Sequence, residues 1–169
     1  MLSSLVQNVR LLGVYGACVG ILSSTSVASA TPATAPGIQV ARLAQAHVGS
    51  RYVWGGSSPA GFDCTGFVMW VFGQFDVALP HDEAGQLGSG TSVSPDDLQP
   101  GDVVVFANTY RRGLSHVGIY LGDGQFVHAA NESHGVMVSN LWDEYWGPRF
   151  VGASRPLAEP SADRSSVTR

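Results

Sequence analysis

The sequence predicts an α+β domain, helices in its first half and an antiparallel sheet in its second. Three observations carry this. Apolar residues fall at helical spacing over 38–48 (Ile38, Ala41, Leu43, Ala44, Val48) and stop at Gly49. The unbroken run Phe67-Val68-Met69-Trp70-Val71-Phe72 follows a polar turn ending in Asp63, a good helix cap. From Asp102 onward, short β-branched runs alternate with turn signals, Asp123-Gly124 the strongest.

The order of elements begins with a leader. Arg10 precedes an apolar run over 11–22, and Ala28-Ser29-Ala30 forms a small-x-small cleavage site before Thr31. That order predicts a secretory signal peptide over 1–30. The run is short for a membrane span, and a retained anchor is the alternative. Cys18 raises a lipoprotein reading, against which Tyr15-Gly16-Ala17 is a poor approach to a lipidated cysteine. Residues 31–37 read as a Pro/Ala/Thr-rich linker, 38–156 as one domain, and 157–169 as a polar, disordered tail. Within the domain, 52–59 is a short extended piece running into a turn-rich loop. A helix from Cys64 ends near Asp76, 82–87 is a short helix, 94–101 is loop with a helical turn near Asp96, and strands follow at 102–107, 116–121, 125–129, 136–139 and 149–154.

Removing the leader also removes Cys18, one of only two cysteines in the chain. Cys64 would then be a lone thiol in an exported protein, unable to form an internal disulfide and flagged as reactive. Its place in the first turn of a helix favours the thiolate, predicting a pKa well below the free value of about 8.5, in the range of about 4–7. An inert core cysteine is the competing reading. The net charge of −4 becomes −5 when Arg10 is lost (−4 − 1), and there is no lysine. No basic patch exists for nucleic acid or an anionic membrane surface, and no membrane insertion is expected once the leader is gone.

A cysteine nucleophile needs a base, and the base a partner. His116 opens the strand Ser115-His116-Val117-Gly118-Ile119-Tyr120-Leu121, and His128 lies on the return strand beyond Asp123-Gly124. A regular hairpin pairs Gly122 with Gln125 and sets His116 near Asn131. His128 reaches it on one face only if the hairpin is offset or bulged. His47 reads as structural, His81 as a loop residue near the cleft, and His134 as a solvated turn residue. The Cys and His spacings match no zinc pattern, and no cofactor is implied.

Five stretches in register carry a resemblance: Tyr52-Val53-Trp54-Gly55-Gly56, Phe62-Asp63-Cys64-Thr65-Gly66-Phe67, Leu98-Gln99-Pro100-Gly101-Asp102, Ser115-His116-Val117-Gly118-Ile119-Tyr120-Leu121-Gly122 and Phe126-Val127-His128-Ala129. Over roughly 41–156 the chain resembles the NlpC family of bacterial cell-wall cysteine endopeptidases. The resemblance implies a papain-like fold, its cysteine on a helix N-terminus packed on an antiparallel sheet. It implies cleavage of peptidoglycan stem peptides between γ-D-glutamyl and a diamino acid. It makes Cys64 the nucleophile, His116 the base and His128 the residue orienting it, with Tyr52, Asp63 and Thr65 lining the substrate site. Thr65 stands where serine is usual and His81 where arginine is common. Two alternatives remain: an amidase or acyl transferase with the same nucleophile, and a silent wall-binding module, against which the intact Cys64, His116 and His128 argue.

Overall fold

The computed structural model describes residues 35–157. The leader, residues 31–34 of the linker and residues 158–169 of the tail lie outside the described residues.

Helix α1 (Pro36–Ala46) begins on a proline, whose missing N–H costs nothing in a first turn. It starts and stops two residues earlier than its apolar spacing suggests. Gly49, at φ 90°, turns the chain, and its N–H donates to Val136 O at 2.8 Å. A two-stranded ribbon follows, β1 (Ser57–Ser58) and β2 (Gly61–Phe62), leading directly into α2 (Cys64–Gly73). Asp63 caps α2 as expected, accepting the Gly66 N–H at 2.6 Å. Helix α2 ends at Gly73 rather than near Asp76, whose left-handed φ of 59° reverses the chain. Helix α3 (Glu83–Leu87) is capped by Asp82, which accepts from Gly85 N–H at 2.7 Å.

The sheet is six-stranded and antiparallel, in the order β3-β8-β4-β5-β6-β7. Its strands are β3 (Thr91–Val93), β4 (Val103–Ala107), β5 (Leu114–Gly122), β6 (Gln125–Asn131), β7 (Gly135–Asn140) and β8 (Phe150–Arg155). Strand β3 was not expected. It has three residues in a Ser/Gly-rich stretch and exists because β8 offers it a partner. Period-two alternation gives the sheet two faces. One carries Val103, Val105, Val117, Ile119, Val127 and Ala129 against α1 and α2. The other carries Val104, Phe106, Tyr120 and Phe126 under Leu141, Trp146 and Phe150. Phe67, Val68, Val71 and Phe72 are fully buried on the first face, each contributing about 1.5–3 kcal/mol. Asp102 and Arg155 form a partly buried ion pair at 2.7 Å that ties β8 to the start of β4.

Candidate active site

The cap places the cysteine. Asp63 Oδ1 accepts from Gly66 N–H, from the Thr65 hydroxyl at 3.1 Å and from His81 Nε2 at 2.9 Å, while Oδ2 accepts from Gly55 N–H at 3.0 Å. Cys64 therefore starts α2 from a rigid corner. Gln86, fully buried, donates through Nε2 to Thr65 O and Pro80 O at 2.8 Å each, binding that corner to the loop before α3. Gly66 must lack a side chain, since a Cβ there would lie 2.1 Å from Gly56 O.

The histidines come together through a bulge. Gly122 pairs with Gln125, but Tyr120 pairs with Phe126 and Ile119 with Val127, leaving Leu121 as the extra residue. Continuing that register sets Gly118 opposite His128, with His116 two residues away on the same face. His116 Nε2 and His128 Nδ1 lie 2.7 Å apart, and His128 Nε2 lies 2.9 Å from Ser139 Oγ on β7. Aromatic rings fix both: Phe126 stacks on His128 at 4.7 Å, and Trp146 stands 5.1 Å from His116 and 5.0 Å from His128. Gly118 leaves room for this, as a Cβ would stand 2.6 Å from the Phe126 ring. Ser139 and Trp146 were not singled out from sequence, because nothing local marks a serine or tryptophan as a histidine's neighbour.

Cys64 opens into a cavity of about 400 Å³ with Tyr52, Trp54, Asp63, Glu83, Tyr110 and Arg111 on its walls. His81, Gly55 and Thr65 complete the lining. His116 opens into a neighbouring cavity, and Tyr110 is common to both. Among the described residues no hydrogen bond joins the Cys64 thiol to the His116 ring. The backbone N–H of Val117, next in the chain to His116, lowers the thiol's pKa. Of the residues expected on the substrate side, Tyr52 and Asp63 both line the cavity, with the Asp63 oxygens engaged by Gly55, Thr65, Gly66 and His81. Thr65 is there too, but its hydroxyl is taken up holding Asp63. His81 proves to be a hydrogen-bond partner of Asp63. Glu83, Tyr110 and Arg111 were missed. Arg111 pairs with Glu83 at 2.9 Å, a contact between α3 and the β4–β5 loop that no local pattern signals.

The electrostatics correct one expectation. Burial pushes the Cys64 thiol up to about 12, with the Asp63 and Glu83 charges adding to it, and the Thr65 and Val117 N–H groups only partly offset this. The cap that builds the helix is a carboxylate beside the sulfur, which cancels the benefit of the helix terminus. Burial likewise lowers His116 to about 3 and holds His128 well below the ordinary histidine value, His116 adding to the second effect. The Tyr52 phenol is also raised, first by burial and then by Cys64 and Asp63. At rest the thiol and both imidazoles are uncharged. No group of three or more His, Cys, Asp or Glu side chains is placed to hold a metal among the described residues.

The chain is similar to known proteins. Residues 49–155 match the NlpC/P60 family. The chain is 43% identical over 129 residues to a gamma-DL-glutamyl hydrolase of Bacillus subtilis, covering 75% of this chain and 31% of that protein. It is 44% identical over 112 residues to a probable endopeptidase p60 of Listeria seeligeri, covering 66% of this chain and 21% of the relative. It thus spans about a third or less of these relatives' length. Among solved structures, the NlpC/p60 domain of peptidoglycan hydrolase SagA superposes with a TM-score of 0.62 at 30% identity, covering 70% of this chain and 97% of that one. An NlpC/P60 family protein from Bacillus cereus superposes with a TM-score of 0.68 at 28% identity, covering 74% of this chain and 42% of its own. With its capped cysteine helix, bulged hairpin and α+β layout, the chain belongs to the NlpC/P60 family.

Proposed function

We propose that this protein is an exported cysteine peptidase of peptidoglycan stem peptides, cleaving the bond between γ-D-glutamyl and a diamino acid. The observation that carries this is a capped cysteine, the one cysteine among the described residues, at the head of a buried helix, opening into a cavity beside the strand that bears a paired histidine. The relative named a gamma-DL-glutamyl hydrolase supports the γ-glutamyl bond, and the leader pattern supports export.

The chemistry follows from the groups present. For His116 to act as base its Nδ1 must be free to accept, so Nε2–H donates to His128 Nδ1. His128 Nε2–H then donates to Ser139 Oγ, which fixes both rings. The Cys64 sulfur attacks the γ-carbonyl carbon as its proton passes to His116. The oxyanion is met by the Cys64 N–H and the Tyr52 hydroxyl. On collapse the C–N bond breaks, His116 gives the proton to the leaving amine, and a thioester remains. Water, deprotonated by His116, then attacks the thioester and releases a carboxylate and the thiol.

The charges decide when the proton moves. Two unit charges about 4 Å apart at an effective dielectric of about 20 attract by about 4 kcal/mol, or about three pKa units. That offsets the burial penalty on the thiol or on the imidazole, but not on both. Proton transfer therefore accompanies attack rather than preceding it. Mass spectrometry of muropeptides from digested peptidoglycan tests the assignment. New fragments ending in γ-D-glutamate are expected; fragments cut only at the amide joining sugar to peptide would overturn it.

A further inference from the structure

Beyond the Cys64 cavity lies a second one of about 460 Å³, and the two share Tyr52, Trp54 and Tyr110. Its far wall is the β6–β7 turn, with Asn131, Glu132 and His134. The two cavities differ in charge. On the Cys64 side both carboxylates are already engaged, Asp63 by hydrogen bonds with Gly55, Thr65, Gly66 and the His81 ring, and Glu83 by Arg111. On the far side Asn131 Oδ1 is occupied by the Ser133 and His134 N–H groups and the His134 ring, while Glu132 makes no ion pair among the described residues. Its charge nevertheless reaches the Tyr52 phenol, after burial, Cys64, Asp63 and Tyr110.

We propose that this second cavity receives the leaving half of the substrate, and that Glu132 recognises a free, protonated side-chain amine on its diamino acid. The inference rests on the activity proposed above, and it takes the acyl half to lie on the Asp63 side and the leaving half beyond Tyr52 and Trp54. Three features select an ammonium. The carboxylate is unpaired, and the Trp54 ring, 69% exposed, offers a face that attracts a cation, whereas the Tyr110 ring already has the Arg111 guanidinium 5.7 Å from its centroid. The cavity opens to solvent at a turn, where a long side chain enters without distortion. An amine acylated by a crosslink carries no charge and gains neither contact. The enzyme thus discriminates in favour of stem peptides whose diamino acid is not crosslinked through its side chain.

The test uses two synthetic peptides, L-Ala-γ-D-Glu-diamino acid with the side-chain amine free and the same peptide with it acetylated. Wild type should show kcat/KM about fivefold higher for the free amine, the upper end for an exposed ion pair. Glu132→Gln should bring the two within about twofold by raising KM for the free amine alone, and Glu132→Lys should invert the preference. Equal rates on both peptides in wild type, or a preference unchanged in both variants, overturns the subsite while leaving the activity standing. Cleavage of neither peptide by wild type overturns the activity and the subsite with it.

Discussion

Mild acid should destabilise this protein well before its carboxylates are protonated, because two imidazoles are held neutral in the core. His116 is 4% exposed and burial lowers its pKa to about 3, whereas in the unfolded chain it returns to about 6.5. The folded value is the lower one, so as pH falls the unfolded state takes up the proton first. Stability is full above about 6.5, falls through the window down to about 3 and then levels. At pH 5, about 1.5 units below the ordinary value, His116 alone costs about 2 kcal/mol. His128, lowered by burial and by its neighbour, deepens the loss. Against a total stability of about 5–15 kcal/mol this is large. The assay is urea unfolding at pH 7, 6 and 5, followed by far-UV circular dichroism, with His116→Gln as the non-titrating comparison. Wild type should lose about 2 kcal/mol more than the variant between pH 7 and 5, with the His116 ring resonances unmoved over that range. Equal losses in the two proteins, or a His116 ring that titrates near 6.5, would refute the reasoning.

Three further outcomes follow. Alkylation of native Cys64 by iodoacetamide should show a pH midpoint above that of a free thiol, about 8.5, since burial and the Asp63 charge hold the thiol protonated; a midpoint near 6 would contradict this. Gly118→Ala puts a Cβ 2.6 Å from the Phe126 ring and 2.8 Å from Val127 O, so it should cost about 1–3 kcal/mol in thermal unfolding and lower kcat by displacing His128. His128→Ala should lower kcat with little change in KM and His128→Gln should retain more, while Ser139→Ala should fall between wild type and His128→Ala, because only the outer end of the relay is lost.

Much of this site was legible because its parts are local. Asp63 and Cys64 are adjacent, so a cap and the residue it positions can be read from a few letters. The histidine strands were legible as strands, and the need for a bulge followed from counting outward from Asp123-Gly124. That Leu121 is the extra residue was not legible, because no local signal marks which residue of a strand is left out of the pairing. Ser139, Trp146, Glu83 and Arg111 escaped for the same reason, each meeting the site across a long sequence separation. The thiol's acidity was misjudged because position at a helix terminus is visible in sequence, whereas burial and the cost of a carboxylate cap are not. Strand β3 escaped because three residues are too few to show a period.

The central claim is that Cys64 forms the covalent intermediate. Wild-type protein mixed with L-Ala-γ-D-Glu-diamino acid peptide, quenched in acid and digested, should yield the Cys64 fragment carrying the mass of the L-Ala-γ-D-Glu acyl group as a thioester. Cys64→Ala should form no adduct and turn over no peptide. Undiminished turnover by Cys64→Ala, or an acyl group on any other residue, would contradict the account.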